Sequence, residues 1–284
     1  MKVVAHAGVS EFWQAAGALF TADPVRNTVV LTVLSRLLIG GRFGDDKPIL
    51  ITVHEVDDQL IGAALCTPPF PLAVSALPVR AVGVVADHLA ATGVRPTGAS
   101  GMRPEVEAFV AAWADRTGVE LAHRMDQRLY QLGDLKPPVD VPGSAVVADA
   151  KDVELLADLR AAFISEVGHF QFSQHRDDLV RQIQDSMAVG NGQIIWQVDG
   201  RAVAMASVSS PNSGMSRIGP VYTPPERRGH GYGSAVTAAA SRWALDKRAN
   251  HVLLFTDLAN PVSNSIYQQI GYIPVADALD VRFT

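Results

Sequence analysis

The amino-acid sequence predicts an α/β fold built from two tandem copies of one unit. Two observations support this prediction: strands and helices recur in the same order, and a proline-rich stretch lies between the copies. Residues 136–143 hold three prolines and a glycine, which favours an extended connection with few helical or ladder hydrogen bonds. We therefore expect a boundary near Pro138, with one domain over residues 1–137 and a second over residues 138–284.

Each copy contains a strand, a tight turn, a second strand and a proline that stops it. The turn is Asp57-Asp58 in the first copy and Asp199-Gly200, a typical two-residue hairpin turn, in the second. Helical periodicity precedes each hairpin, and a helix, a short strand, another helix and a final strand pair follow it. In the first copy we predict helices over 9–20, 24–38, 79–91 and 104–117, strands over 49–56, 60–65 and 97–101, and a strand pair over 120–132. In the second we predict helices over 152–166, 176–188, 231–247 and 261–270, strands over 193–198, 202–208, 216–223 and 251–257, and a strand pair over 274–283.

The composition excludes several classes of protein. A hydrophobic content of 48% and a charged content of 19% are typical of a globular chain. The formal charge of -5, without a basic block, argues against a nucleic-acid partner. The single cysteine, Cys66, lies in an apolar run and is expected to be a buried, inert thiol. The N-terminus shows no signal-peptide region and no run reaches the ~18 apolar residues of a membrane span, so we expect a cytoplasmic enzyme without a membrane partner.

The most informative segment covers residues 221–234, Val-Tyr-Thr-Pro-Pro-Glu-Arg-Arg-Gly-His-Gly-Tyr-Gly-Ser. It is predicted as a strand end, a glycine-rich turn with two arginines, and the start of a helix. Free backbone N–H groups at a helix N-terminus, glycines that permit close approach, and guanidinium groups together favour binding of a diphosphate. The first copy has no counterpart, because residues 77–84 read Leu-Pro-Val-Arg-Ala-Val-Gly-Val.

Residues 144–284 resemble a domain of the GNAT superfamily of acyltransferases, which use acetyl-CoA. The family signature, Arg or Gln, two residues, Gly, one residue, Gly or Ala, is matched from Arg228 to Gly233. The resemblance implies two tandem GNAT-like domains, each a mixed, mostly antiparallel sheet flanked by helices, with the first copy degenerate. It also implies the residues that contact acetyl-CoA: Val221, Tyr222, Thr223, Arg228, Gly229, His230, Gly231, Tyr232, Gly233, Ser234, Asn260 and Asn264. No metal is implied.

The pair Gly219-Pro220 lies inside the strand that precedes the glycine-rich turn. Proline cannot donate to a ladder and glycine weakens a strand, so the pair predicts a bulge or the separation of two strands. In the family the fourth and fifth strands part here and the pantetheine arm enters between them. Backbone groups of Val221 and Thr223 would pair with its amides, and the Val221 N–H would polarise the thioester carbonyl.

The segment from Asn260 to Tyr272 matches the closing motif of the family. Asn260 is predicted to cap a helix that begins at Pro261, and the resemblance adds a polar contact with the pantetheine or thiol end. The resemblance makes Tyr267 the general acid that protonates the departing CoA thiolate, and a packing role is the alternative.

The general base is less clear from the sequence, because many relatives use a carboxylate on the fourth strand and residues 217–222 contain none. Glu166 is the candidate base, and His169, Glu226 and a chain of water molecules are alternatives.

These observations predict an N-acetyltransferase that moves an acetyl group from acetyl-CoA to an amine of a small molecule or peptide. One active site per chain is expected. The alternative is a protein that binds acyl-CoA as a sensor or scaffold without turnover, and a longer acyl chain is a further alternative. The sequence leaves open whether the protein is a monomer or a homodimer.

Overall fold

The computed structural model describes residues 1–41, 46–167 and 175–284, and the chain forms two compact units. Unit 1 comprises Met1–Arg128, Asp257–Ala259 and Ala276–Thr284, and unit 2 comprises Leu129–Thr256 and Asn260–Val275. Both units are therefore discontinuous in sequence. The predicted boundary at residues 137 and 138 stays a prediction of where one sequence copy gives way to the other.

The described part of unit 1 carries four α-helices on a mixed sheet. Its elements are β1 (Lys2–Ala5), α1 (Val9–Ala22), α2 (Thr28–Leu38), β2 (Ile49–His54), β3 (Leu60–Cys66), β4 (Leu72–Ala76), α3 (Val82–Ala91), β5 (Gly98–Met102), α4 (Arg103–Thr117) and the first part of β6 (Leu121–Leu132). Strands β1 to β4 pair antiparallel in sequence order, and β4 pairs parallel with β5. Residues Ala278 to Arg282 then pair antiparallel with β5.

Unit 2 repeats this plan. Its elements are the end of β6, then β7 (Ser144–Val147), α5 (Val153–Val167), α6 (Arg176–Ala188), β8 (Gly192–Val198), β9 (Arg201–Val208), β10 (Met215–Tyr222), α7 (Tyr232–Asp246), β11 (His251–Asp257), α8 (Pro261–Gln269) and the start of β12 (Tyr272–Phe283). Strands β7 to β10 pair antiparallel in sequence order, β10 pairs parallel with β11, and β6 lies next to β11. The predicted mixed, mostly antiparallel sheets are confirmed.

Both predicted hairpins are present. Asp199 and Gly200 have φ angles of 49° and 73° between the paired residues Val198 and Arg201, as a turn with two left-handed residues requires. In unit 1, Asp58 has a φ of 62° and the Glu55 N–H donates to the Gln59 carbonyl at 2.9 Å.

The predicted strand pairs over 120–132 and 274–283 are wrong, because each region is one continuous strand. Neither region contains the Gly or Asn-Gly signal that a tight hairpin needs, so the backbone continues extended. The sequence prediction also left out β1, β4 and β7, which are four or five residues long.

Each face of the unit 2 sheet has its own apolar core. On one face, residues of α7 and α8 pack on Ile194, Ala206, Ile218 and Leu254. On the other face, residues of α5 and α6 pack on Ile195, Met205 and Tyr222. Unit 1 buries Phe109 and Trp113 of α4 together with α3 and its sheet. Within the described part of the chain, no helix is long and apolar enough to cross a membrane.

Candidate active site

The glycine-rich turn joins β10 to α7 and leaves a row of backbone donors free. Gly229 and Gly231 adopt φ angles of 81° and 78°, which glycine reaches without a steric cost. In the described structure no backbone carbonyl accepts from the N–H groups of residues 229–234. These groups and the positive end of the α7 dipole form a site suited to an anion. The geometry thus fits a diphosphate at the place that the sequence predicted.

Side chains of the turn leave the donors accessible. Gly229 is exposed, and a Cβ atom built on it meets nothing within 4 Å. The exposed His230 ring stacks on the half-buried Tyr232 ring at a centroid distance of 5.5 Å. Gly233 approaches Thr223, whose Oγ1 lies 3.4 Å from a Cβ built on the glycine. The two aromatic side chains contact each other, as the variable positions of the motif allow.

Strands β10 and β11 separate at the predicted place. Their parallel pairing runs from Met215 opposite His251 to Ile218 opposite Leu254 and then ends. Strand β10 instead continues along β9, with Val221 opposite Ala206 after a register shift between Ile218 and Val221. The predicted break at Gly219-Pro220 is confirmed. Beyond it, Val221 and Tyr222 have no backbone partner on β11 among the paired residues, so this edge of β10 is open to an extended ligand.

Arg228 connects the glycine-rich turn to Thr223 and to helix α5 through hydrogen bonds. Its Nε donates to the Thr223 carbonyl at 3.0 Å, and its Nη2 donates to both carboxylate oxygens of Glu166 at 2.8 and 2.6 Å. The hydrogen bond with Glu166 and the negative charge of that carboxylate raise the pKa of Arg228. Glu166 lies on α5, so this pair fixes the end of α5 beside the glycine-rich turn. The candidate base is therefore occupied by the arginine of the signature.

Two other candidate bases were predicted, Glu226 and His169. Glu226 is exposed in the turn before Arg227. His169 lies outside the described residues. Within the described ranges no cluster of His, Cys, Asp or Glu has the arrangement of a metal site.

Helix α8 begins as the sequence predicts. The Asn260 Oδ1 accepts from the Ser263 N–H at 3.0 Å, so the N-cap is confirmed. Asn264 uses its side chain within the protein, because its Nδ2 donates to the Asn260 carbonyl at 2.7 Å and its Oδ1 accepts from the Tyr130 hydroxyl at 3.1 Å. The predicted contact of Asn264 with acetyl-CoA stays a prediction and competes with these bonds.

Tyr130 is the residue that sequence reasoning missed in this region. Its hydroxyl also accepts from Gln268 Nε2 at 3.0 Å, and its ring lies 6.4 Å from the Tyr267 ring. It is fully buried on β6, which the sequence assigned to the first copy. The only sequence signal was a tyrosine hydroxyl in a predicted strand, and this signal does not indicate which residues the hydroxyl contacts.

Tyr267 is buried beside the open edge of β10. It is 9% exposed and belongs to the apolar cluster against which the half-buried Val221 packs. The Tyr272 ring contacts it edge-on at 6.1 Å. Burial raises the pKa of Tyr267 to about 12, and a hydrogen bond with Ser263 offsets part of that rise. The hydroxyl therefore keeps its proton at neutral pH and serves as a donor.

Arg217 is a second residue that the sequence prediction left without a role. It lies on β10, two residues before Gly219, and is half-buried. Its backbone is held by Ser209, since the Arg217 N–H donates to Ser209 Oγ at 2.9 Å and the Ser209 N–H donates to the Arg217 carbonyl at 3.0 Å. Burial lowers the pKa of its guanidinium to about 10.

In unit 1 the corresponding strands β4 and β5 pair from Leu72 opposite Ala99 to Ala73 opposite Ser100 and stay close just beyond. A Cβ atom built on Gly101 of β5 would lie 3.1 Å from the Ser75 nitrogen of β4, so the two backbones are in close contact. Helix α3 follows a short 3-10 turn at Val79–Ala81. The sequence there has no paired glycines.

The comparisons with known proteins agree with this geometry. Residues 154–272 match the family model described as the acetyltransferase (GNAT) family. A mycothiol acetyltransferase of Acidothermus cellulolyticus is 29% identical over 111 residues, which are 34% of this chain and 34% of that protein. The match thus spans about a third of the curated relative.

Solved structures match over nearly the whole chain. A GNAT-family acetyltransferase from Colwellia psychrerythraea has a TM-score of 0.65 at 12% identity and covers 100% of both chains. A tandem GNAT protein from the clavulanic acid biosynthesis pathway has a TM-score of 0.62 at 15% identity and covers 100% of this chain and 98% of its own. These likenesses show the fold.

The fold is that of a tandem GNAT protein. Residues 154–272, of which all but 257–259 lie in unit 2, match the GNAT acetyltransferase family.

Proposed function

We propose that unit 2 binds acetyl-CoA and transfers its acetyl group to an amine of a small molecule or peptide. The observation that carries the proposal is the row of free N–H groups at residues 229–234 beside the open edge of β10. A diphosphate fits the first feature and an amide-bearing pantetheine arm fits the second. The relation to a mycothiol acetyltransferase over 111 residues supports acetyl transfer as the reaction.

Backbone groups of unit 2 would bind acetyl-CoA and stabilise charge during the reaction. The N–H groups of residues 229–234 bind the pyrophosphate, and backbone groups of Val221 and Thr223 hold the pantetheine arm. The Val221 N–H stabilises negative charge on the thioester oxygen. In the reaction the amine nitrogen bonds to the acetyl carbon, the carbon–sulfur bond breaks, and the amine loses a proton to solvent or a base.

Tyr267 would act on the leaving sulfur. A thiol has an ordinary pKa of about 8.5, so a tyrosine with a pKa of about 12 does not give up its proton fully to a thiolate. It donates a hydrogen bond to the developing thiolate, and the CoA thiol takes its proton from solvent. This proposal refines the general-acid role implied by the family resemblance.

Calorimetric titration with acetyl-CoA and a thiol assay for CoA release test the proposal together. We expect binding to the free protein and CoA release that depends on an added amine. Absence of binding would contradict the whole proposal. Binding without release across a broad panel of amines would favour the acyl-CoA sensor, which the pairing of Glu166 with Arg228 keeps open as a second function.

Replacing Glu166 by glutamine distinguishes the predicted base from an anchor for Arg228. If the carboxylate anchors Arg228, Glu166→Gln should raise the KM for acetyl-CoA about three- to ten-fold and leave kcat nearly unchanged, since exposed charged pairs contribute little. Steady-state kinetics with varied acetyl-CoA measure both constants. A much slower turnover, by about 100-fold or more at unchanged KM, would instead support Glu166 as the base.

A further inference from the structure

Arg217 is a half-buried positive charge of unit 2, and no acidic group among the described residues neutralises it. Arg160, the other half-buried arginine described in unit 2, has a partner, and Arg201, Arg227, Arg242 and Arg248 are exposed. Within the described ranges no carboxylate pairs with Arg217, and its pKa falls because of burial alone. A half-buried guanidinium without a carboxylate partner has N–H donors available for a negatively charged ligand.

Each acidic side chain of α5, which packs on this face of the unit 2 sheet, already pairs with an arginine. Glu154 and Asp158 pair with Arg176, and Glu166 pairs with Arg228. No acidic group of the described residues, those of α6 included, contributes to the pKa of Arg217. A negative partner for Arg217 is therefore expected to come from outside this region of the protein.

The position of Arg217 on β10 places it near the reacting groups. The next residue, Ile218, packs in the core formed with α7, and side chains alternate along a strand, so Arg217 belongs to the opposite face with α5 and α6. Gly219 lies two residues further on, about 7 Å along the strand. Strand β10 leaves β11 there, and Val221, whose N–H is proposed to contact the thioester oxygen, lies two residues beyond Gly219.

We propose that Arg217 binds a carboxylate of the acetyl acceptor, so that the acceptor is an amino acid or another amine that carries a carboxylate close to its nitrogen. The planar guanidinium offers two parallel N–H donors that match the two oxygens of a carboxylate. The strand holds these donors beside the separation of β10 from β11, where the amine must arrive. This inference rests on the proposed function and adds the class of acceptor.

Paired acceptors test the proposal directly. Each common amino acid is paired with its α-carboxamide, which lacks the α-carboxylate charge, and CoA release gives kcat/KM for both members. Because amidation also lowers the pKa of the amine, the kcat/KM ratio of each pair is compared between wild type and variant. We expect the wild-type protein to favour the carboxylate member of the best pair by about 10- to 100-fold, as a charge-assisted bidentate pair provides. In Arg217→Gln this ratio should fall to about one, and Arg217→Lys should keep an intermediate ratio.

Two controls show whether a loss of carboxylate preference in Arg217→Gln is specific to that side chain. Arg201→Gln removes an exposed arginine from β9 of the same unit and should leave the ratio at its wild-type value. Acetyl-CoA affinity, measured by calorimetry, should be the same in Arg217→Gln and in wild type, and thermal unfolding should show that both are folded. Weaker acetyl-CoA binding in the folded variant would overturn the proposal, because Arg217 would then serve the CoA.

The remaining outcomes distinguish this inference from the proposed function. Acetylation of neutral amines, with equal rates on both members of every pair, overturns the carboxylate site and leaves the acetyltransferase standing. A preference for carboxylates that survives in Arg217→Gln also overturns it. If acetyl-CoA binds and no amine of any kind is acetylated, both proposals are wrong.

Discussion

Gly231→Val should abolish acetyl-CoA binding, with a loss in affinity of at least about 100-fold. Gly231 has a φ of 78°, and it is exposed among the N–H donors of the turn. A branched side chain there would cover the donors and shift the backbone towards conformations that point them elsewhere. Several charge-assisted hydrogen bonds to phosphate would be lost together. Calorimetric titration with acetyl-CoA measures the effect.

Gly200→Val is the matched control for backbone strain. Gly200 has a similar φ of 73°, lies in the Asp199-Gly200 hairpin turn, and has nothing within 4 Å of a Cβ atom built on it. Both variants should lose about 1–2 kcal/mol of unfolding free energy, because valine is strained at positive φ. A Cβ on Gly231 also meets the Val141 side chain at 3.0 Å, so thermal unfolding must show that this variant is folded. Tight acetyl-CoA binding by folded Gly231→Val would refute the phosphate site.

Tyr267→Phe should slow turnover about 10- to 100-fold and leave acetyl-CoA affinity near the wild-type value. The hydroxyl donates to sulfur only as the carbon–sulfur bond breaks, so its loss affects the transition state more than the bound substrate. Tyr272→Phe is a suitable control, because it removes another buried hydroxyl, bonded to Ser241 at 2.8 Å, from the same cluster. Unchanged turnover in Tyr267→Phe would show that the side chain only packs.

The pH dependence of turnover gives a separate check on Tyr267. Its pKa is raised to about 12, so the donor is present throughout neutral pH and is lost only as the pH approaches that value. We therefore expect that this group causes no fall in wild-type turnover between about pH 7 and about pH 10, the ordinary pKa of tyrosine. A decline in wild-type turnover with an apparent pKa near 10, absent from Tyr267→Phe, would contradict the raised pKa of Tyr267.

Local signals in the sequence were sufficient for the parts of the site that depend on backbone conformation. The Asp199-Gly200 turn, the break at Gly219-Pro220 and the Asn260 cap are each set by residues adjacent in sequence. Glycine, proline and asparagine restrict or permit particular backbone angles and bonds, so their positions predict structure directly.

Contacts between distant residues could not be predicted in this way. Glu166 and Arg228 are 62 positions apart, and Tyr130 and Asn264 are 134 positions apart. The sequence around each residue is compatible with many partners, and only the folded sheet selects one. Arg217 illustrates the same limit: the sequence showed that β10 has no carboxylate, whereas its unpaired guanidinium emerged from the packing around it.

The discontinuity of the two units has a consequence for how the protein is made. Residues 276–284 supply the strand that pairs with β5 of unit 1, and residues 129–132 supply a strand to unit 2. On the ribosome, the first unit to be translated must therefore wait for residues that emerge after nearly all of the second. Until then the edge of β5 is unpaired and exposed to other chains. Cutting the gene between residues 137 and 138 would divide both units, so neither fragment would carry all the strands of its own sheet.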